Sequence, residues 1–194
     1  ADVAGALPAE LEKLGHHVCV VMPYYKMVKK GNFRIEDTGK KVTVQISDRT
    51  VQGDIFAAKI GTDVTVYLIG KDQYFDRDEL YRTKEGDYLD NAERFIFFSK
   101  AIIALAQEVG FKPDIINCND WQTGLVPILL KWAERDNPFF AGTKTIFTIH
   151  NLAYQGLFWH LDMHLTNLPW DVFTPEGIEF YGKINLMKAG IVGS

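Results

Sequence analysis

The chain has 194 residues, a net charge of −4 and an apolar fraction of 47%, so its size matches one ordinary domain or two small ones. This composition can bury a core, which excludes a disordered chain, and the acidic balance argues against a nucleic-acid binder. No apolar run approaches the roughly 20 residues of a membrane span, and the opening residues show no charged-then-apolar targeting pattern, so we expect no membrane partner.

The first third of the chain predicts a helix, a buried strand and an antiparallel insertion. Apolar residues recur at helical spacing over residues 1–14, and Gly15 is a plausible helix stop. The apolar run 18–22 that follows is typical of a strand buried on both faces in a parallel sheet. Residues 32–70 then alternate as strands do, which predicts a hairpin insertion that returns to a central strand near Leu68.

The remainder predicts alternating helices and strands. Residues 72–91 are polar and predict a loop, and helical spacing predicts a helix over 91–109. A strand at 114–118, a helix capped by Thr123, a strand at 143–149, a helix at 177–189 and a further strand at Ile191 and Val192 follow. This order predicts the α/β class, with a doubly wound, mostly parallel Rossmann-like sheet that carries the antiparallel hairpin insertion.

Polar clusters follow three of the predicted strands, at residues 23–26, 119–122 and 150–156. Ligands of open α/β sheets bind beyond the carboxyl ends of the strands, although residues there also cap helices. His150 is either a hydrogen-bonded structural residue or, with Asn151, part of a polar pocket suited to sugar hydroxyls. Asp120 either caps the following helix or accepts hydrogen bonds from a polyol, and Trp121 either packs in the core or offers a face to a sugar ring.

Other chemistry has weaker support in the sequence. His160 and His164 have a spacing compatible with a metal ion on a helix, but no third histidine or cysteine lies nearby, so we expect no metal. No nucleotide-binding glycine motif, P-loop or nucleophilic serine motif occurs. Cys19 and Cys118 lie in apolar runs, which predicts buried, inert thiols and fits a reducing cytosol without excluding secretion.

Several segments together resemble the amino-terminal domain of bacterial glycogen synthases and plant-type starch synthases, and they occur in the family's order. They are residues 1–8 (ADVAGALP), 15–16 (GH), 23–25 (PYY), 87–95 (DYLDNAERF), 119–121 (NDW), 148–156 (TIHNLAYQG) and 177–185 (GIEFYGKIN). The last two segments are the most specific, whereas Asn-Asp-Trp alone is a weak signal.

The resemblance implies a GT-B fold, in which a nucleotide-sugar donor and a glucan acceptor meet between two Rossmann-like domains. The reaction would transfer glucose from ADP-glucose or UDP-glucose to the 4-hydroxyl of an α-1,4-glucan with retained configuration, without a metal or other cofactor. His150 would contact the transferred glucosyl unit and help stabilise its positive charge, while Asp120 and Asn151 would line the sugar or acceptor side. Tyr81 or Tyr74 would contact the acceptor. The family's location would be cytoplasmic, or plastidic in a photosynthetic eukaryote.

The resemblance also implies that residues 1–194 form an amino-terminal, acceptor-side domain that is incomplete at its start. The family's Lys-Thr/Val-Gly-Gly-Leu donor loop would precede residue 1, and a carboxyl-terminal nucleotide-binding domain would follow. On this basis the chain alone is expected to show no turnover. Gln122 departs from the family, which commonly has histidine after Asn-Asp-Trp.

Two other functions remain open from the sequence. The chain could be a glucan- or sugar-binding module without catalysis. It could also belong to another GT-B transferase, such as a sucrose-phosphate- or trehalose-phosphate-forming enzyme, although such enzymes are not expected to carry both specific segments.

Overall fold

The computed structural model describes residues 2–61 and 63–194. The chain has an α/β structure that divides into two compact units, which we call unit 1 (Ala1–Val42 and Gln52–Arg82) and unit 2 (Thr43–Val51 and Thr83–Ser194). Every helix in the described ranges is too short or too polar to span a bilayer.

The elements follow the chain in this order. The helices are α1 (Asp2–Lys13), α2 (Lys26–Lys29), α3 (Asp72–Phe75), α4 (Asn91–Glu108), α5 (Val126–Trp132), α6 (Met163–Thr166) and α7 (Leu186–Gly193), with 3₁₀ turns at Trp121–Thr123, His160–Asp162 and Trp170–Val172. The strands are β1 (Cys19–Pro23), β2 (Glu36–Ile46), β3 (Arg49–Ile60), β4 (Val64–Gly70), β5 (Arg82–Thr83), β6 (Gly86–Asp87), β7 (Ile115–Asn119), β8 (Lys144–Thr148), β9 (Leu157–Trp159), β10 (Glu179–Phe180) and β11 (Lys183–Asn185).

The largest sheet confirms the predicted hairpin insertion. Its strand order is β1-β4-β3-β2, with β1 parallel to β4 and β3 antiparallel to β4. The strand near Leu68 is therefore an interior strand, as expected. Strand β1 is not buried on both faces: four of its five residues are half-buried, because β1 lies at the edge of this sheet.

Unit 2 contains the predicted β-α-β connection. Strands β7 and β8 run parallel, in register from Ile115 opposite Lys144 to Asn119 opposite Thr148, and α5 lies between them in the chain. A parallel pair needs such a crossover, which is usually helical. However, the strands of the described residues form four separate sheets. The fold is thus α/β with mixed sheets, and the expected single doubly wound sheet is not confirmed.

The predicted helix at residues 177–189 is confirmed only over 186–189, the start of α7, and the predicted strand at Ile191 and Val192 is wrong. Residues 177–185 contain the hairpin β10–β11, not a helix, because Tyr181 and Gly182 both have positive φ (49° and 75°) and reverse the chain as a tight turn does. Ile191 lies in α7 and starts no strand.

Two further predictions differ from the structure. Thr123 caps no helix, since its hydroxyl donates to the carbonyls of Asn119 and Asp120 and α5 begins later. The polar loop 72–91 also contains α3 and the β5–β6 pair.

The tip of the hairpin β2–β3 belongs to unit 2 and is fixed there by Lys100 of α4. The Lys100 ammonium donates to Gln45 O at 2.6 Å, to Asn167 Oδ1 at 2.7 Å and to Leu165 O at 3.3 Å. Asn167 in turn donates from Nδ2 to Ser47 O at 2.8 Å. Burial lowers the pKa of Lys100 to about 8, so the ammonium form still dominates at pH 7.

We expect the burial of Lys100 to give the free energy of unfolding a measurable pH dependence. Because its pKa is lower in the folded chain than the usual 10.5, the unfolded chain binds more protons between about pH 8 and 10.5, and the free energy of unfolding rises with pH there. The difference in unfolding free energy between wild type and Lys100→Met should therefore grow from pH 8 to pH 10. Urea unfolding at several pH values measures it, with exposed Lys84→Met as the control. A difference in unfolding free energy that stays constant from pH 8 to pH 10 would contradict the buried position of the Lys100 ammonium.

Candidate functional site

The carboxyl ends of β7 and β8 bring two of the predicted polar clusters together. Asn119 lies opposite Thr148 in the register, and the Asp120 amide donates to Thr148 O at 2.9 Å, which extends the pairing by one residue. His150 is the second residue after the end of β8. The two clusters therefore meet at one edge of this strand pair, as ligand sites of α/β sheets do.

Asp120 holds the start of the loop that follows β8. Its Oδ1 accepts the backbone amides of His150 at 2.7 Å and Asn151 at 3.2 Å. The carboxylate makes no capping hydrogen bond with the 3₁₀ turn that follows it, so the alternative in which Asp120 caps the next helix is not what the structure shows.

The backbone of Asp120 is strained. Its φ of 57° and ψ of 179° lie in a region that is essentially restricted to glycine, at a cost of about 1–3 kcal/mol. Such strain persists where surrounding contacts over-determine the conformation, and it concentrates at functional sites. Here the contacts are the Thr148 carbonyl and the two loop amides.

The His150 side chain is exposed at the end of β8 and is not sealed in the core. Its Nε2 lies 2.9 Å from Asn119 Oδ1. Asn119 Nδ2 donates to Asn117 O at 3.1 Å, which turns Oδ1 towards the ring. Nε2 therefore carries a proton, and in the neutral ring Nδ1 is the acceptor.

Asn119 is a member of the site that the sequence analysis did not single out. The sequence carries no signal for this contact, because it depends on the register that places Asn119 opposite Thr148, two positions before His150. Asn151 is exposed next to His150, and its Oδ1 accepts the Ala153 amide at 3.1 Å. His150, Asn151, Asp120 and Asn119 are thus brought together, and we call this cluster the polar rim.

Trp121 supports the rim from below and is a core residue. It is 4% exposed, and its ring packs against Phe95 and Phe158 with centroid distances of 4.7 and 5.8 Å. Gly156 lies directly on this indole. Of the two alternatives for Trp121, the structure supports packing in the core. The Trp121 side chain therefore offers little surface for a sugar.

The two tyrosines named as acceptor contacts belong to unit 1, whereas the polar rim belongs to unit 2. Tyr74 lies in α3, is 3% exposed and packs edge-on against Phe75. Tyr81 is half-buried. Their contact with a glucan stays a prediction.

The candidate metal-binding histidines and the two cysteines lack the surroundings that metal binding or nucleophilic catalysis would need. Within residues 2–61 and 63–194, no three His, Cys, Asp or Glu side chains are grouped so as to hold a metal ion. His160 begins a 3₁₀ turn and His164 lies in α6, where its Nδ1 contacts Leu161 O. Burial raises the pKa of Cys19 to about 11 and that of Cys118 to about 12, so both thiols are protonated at neutral pH.

Comparison with known proteins identifies the family. A family model described as the starch synthase catalytic domain matches residues 1–194. The chain belongs to the glycogen and starch synthase family. It is 46% identical over 192 residues to a glycogen synthase of Syntrophotalea carbinolica and 45% identical over 192 residues to glycogen synthase 2 of Geobacter sulfurreducens; each alignment covers 99% of the chain and 40% of the relative.

A solved structure of the glycogen and starch synthase family has the same fold. The catalytic domain of Starch Synthase IV from Arabidopsis thaliana, bound to ADP and acarbose, matches with a TM-score of 0.84 and 25% identity, covering 100% of this chain and 39% of that one. The chain therefore spans about 40% of the length of these relatives.

Proposed function

We propose that this chain is the acceptor-side, amino-terminal domain of a glucosyltransferase that extends an α-1,4-glucan with glucose from ADP-glucose or UDP-glucose, with retention of configuration. In this proposal residues 1–194 form a doubly wound GT-B domain in a cytoplasmic enzyme, and a nucleotide-binding domain completes the site. The family match supports the reaction class. The relative solved with ADP and acarbose supports a nucleotide-linked donor and a glucan acceptor.

The observation that carries the proposal is the polar rim. Asp120 is held in a strained conformation and presents a carboxylate to the amides of His150 and Asn151, while Asn119 fixes the His150 ring. A histidine with only a structural role at an exposed strand end would not need both its ring and its backbone amide to be fixed by neighbouring side chains. Strain held by several contacts is typical of a preorganised site.

The geometry suggests how the rim would act. Because Asn119 Oδ1 accepts from Nε2, the His150 ring would orient a glucosyl hydroxyl through Nδ1. Asn151 would hydrogen-bond the same sugar through its exposed carboxamide. As the bond to the leaving diphosphate breaks, positive charge grows on the sugar carbon, and fixed dipoles and the Asp120 carboxylate would stabilise this charge without reorganising.

A chimaeric enzyme tests the proposed function. The matching 192 residues of Geobacter sulfurreducens glycogen synthase 2 are replaced by this chain, and incorporation of labelled glucose into glycogen is measured with ADP-glucose and with UDP-glucose. We expect transfer from at least one of these donors, at a rate comparable to that of the unmodified relative.

Two outcomes would contradict the proposal. A chimaera that melts like the relative but transfers no glucose, while still retaining maltoheptaose in equilibrium dialysis, would identify a binding module. Transfer only to a phosphorylated sugar acceptor would identify a different transferase.

A further inference from the structure

Asn185 is a buried polar residue that connects three elements. It is 2% exposed, it ends β11 opposite Leu157 of β9, and it is the N-cap of α7. Its Oδ1 accepts the Lys188 amide at 2.9 Å. Its Nδ2 donates to Gln155 Oε1 at 2.8 Å.

The hydrogen-bond partners fix the orientation of both carboxamides. The Lys188 backbone amide can only donate, so Asn185 must turn Oδ1 towards it and Nδ2 towards Gln155. Gln155 must then present Oε1 to Asn185, which leaves its Nε2 facing Leu152 O at 3.4 Å. Aspartate or serine at position 185 could cap α7 equally well, but neither could also donate to Gln155 in this arrangement.

Gln155 is the penultimate residue of the rim loop, residues 150–156. The loop is held at its start by Asp120, which accepts the amides of His150 and Asn151. At its end, the carbonyls of Gln155 and Gly156 accept the amides of Met187 and Leu186 in the first turn of α7. The Asn185–Gln155 hydrogen bond is a side-chain contact that joins this end of the loop to the cap of α7.

We propose that Asn185 and Gln155 are positioning residues that hold the rim loop, and with it His150 and Asn151, in the geometry that the reaction requires. This inference rests on the proposed function for its catalytic consequence, but the fixed position of the loop can be measured without it. Neither side chain has to touch the substrate, because both act through the loop.

Amide hydrogen exchange on the 194-residue chain tests the positioning. Asn185→Ser keeps a good N-cap but removes the donor to Gln155, and Gln155→Met removes the acceptor while leaving the cap untouched. We expect exchange at His150, Asn151, Leu186 and Met187 to become about fivefold faster in either variant, the equivalent of one ordinary hydrogen bond. The Lys188 amide should stay protected, which shows that the cap is intact.

The double variant and the chimaera complete the test. If the two side chains act through one bond, Asn185→Ser combined with Gln155→Met should exchange no faster than either single variant. In an active chimaera, each variant should lower kcat about fivefold with little change in KM for glycogen.

The outcomes separate this inference from the proposed function. Unchanged loop exchange in both single variants, multiplied effects in the double variant, or unchanged kcat despite faster exchange would overturn the positioning role. A folded, unmodified chimaera without transfer would refute the proposed function instead, and the exchange rates would still decide whether the Asn185–Gln155 hydrogen bond holds the rim loop.

Discussion

Asp120→Ala is expected to destabilise the chain by about 1–3 kcal/mol and to lower glucose transfer by the chimaera about 100-fold. Alanine leaves the His150 and Asn151 amides without the carboxylate that accepts both. It also retains the strained backbone at φ 57°, which alanine tolerates no better than aspartate. Urea unfolding measures the first effect, and labelled-glucose incorporation measures the second.

Two further substitutions at position 120 separate strain from hydrogen bonding. Asp120→Gly also removes the carboxylate but relieves the strain, so it should be more stable than Asp120→Ala by about 1–2 kcal/mol. Asp120→Asn keeps an acceptor oxygen and should be the most stable of the three, while its transfer rate stays low because the charge is lost. Equal stabilities of the glycine and alanine variants would show that the backbone stores no strain.

Gly156→Ala is expected to destabilise the chain by about 2–4 kcal/mol. A Cβ at this position would lie 2.5 Å from Trp121 Cε3, and the φ of Gly156 is +65°. The loop must therefore move away from the buried indole or unfold locally. The loss is measured by urea unfolding, and faster amide exchange should be concentrated in the rim loop.

Two other glycines provide matched controls for Gly156→Ala. Gly182 also has a positive φ (+75°), but a Cβ there would meet no atom within 4 Å, so Gly182→Ala should show only the backbone term of about 1 kcal/mol. Gly142 has neither the positive φ nor a close neighbour, and its substitution should change stability by less than about 0.5 kcal/mol. If Gly156→Ala lowered the free energy of unfolding no more than Gly182→Ala, the close contact between Gly156 and Trp121 would be contradicted.

The polar rim could be anticipated because its determinants are local. The apolar run before His150 and the run before Asn119 each predicted a strand, and parallel strands place their carboxyl ends together. The identity of the hydrogen-bond partners was not predictable, because it depends on the register between β7 and β8. That register pairs residues about 30 positions apart in the chain and brings Asn119 to the His150 ring.

The hairpin β10–β11 and the division into separate sheets are features that the sequence patterns did not predict. The apolar residues around Ile178 and Ile184 fit a helix as well as a hairpin with a two-residue turn. A tyrosine with positive φ is also an uncommon turn residue, so Tyr181 did not indicate a turn. Sequence patterns predicted the longer strands and the antiparallel hairpin insertion. They missed the short strands β5, β6, β9, β10 and β11 and the arrangement in four sheets.

The most direct measurement is the transfer rate of the chimaera with His150→Ala, beside a control variant at the exposed His16. The account predicts that His150→Ala lowers kcat about 100-fold or more at an unchanged melting temperature, as removal of one preorganised polar group does, whereas His16→Ala leaves kcat unchanged. Full transfer activity of a folded His150→Ala chimaera would contradict the assignment of the polar rim to sugar transfer.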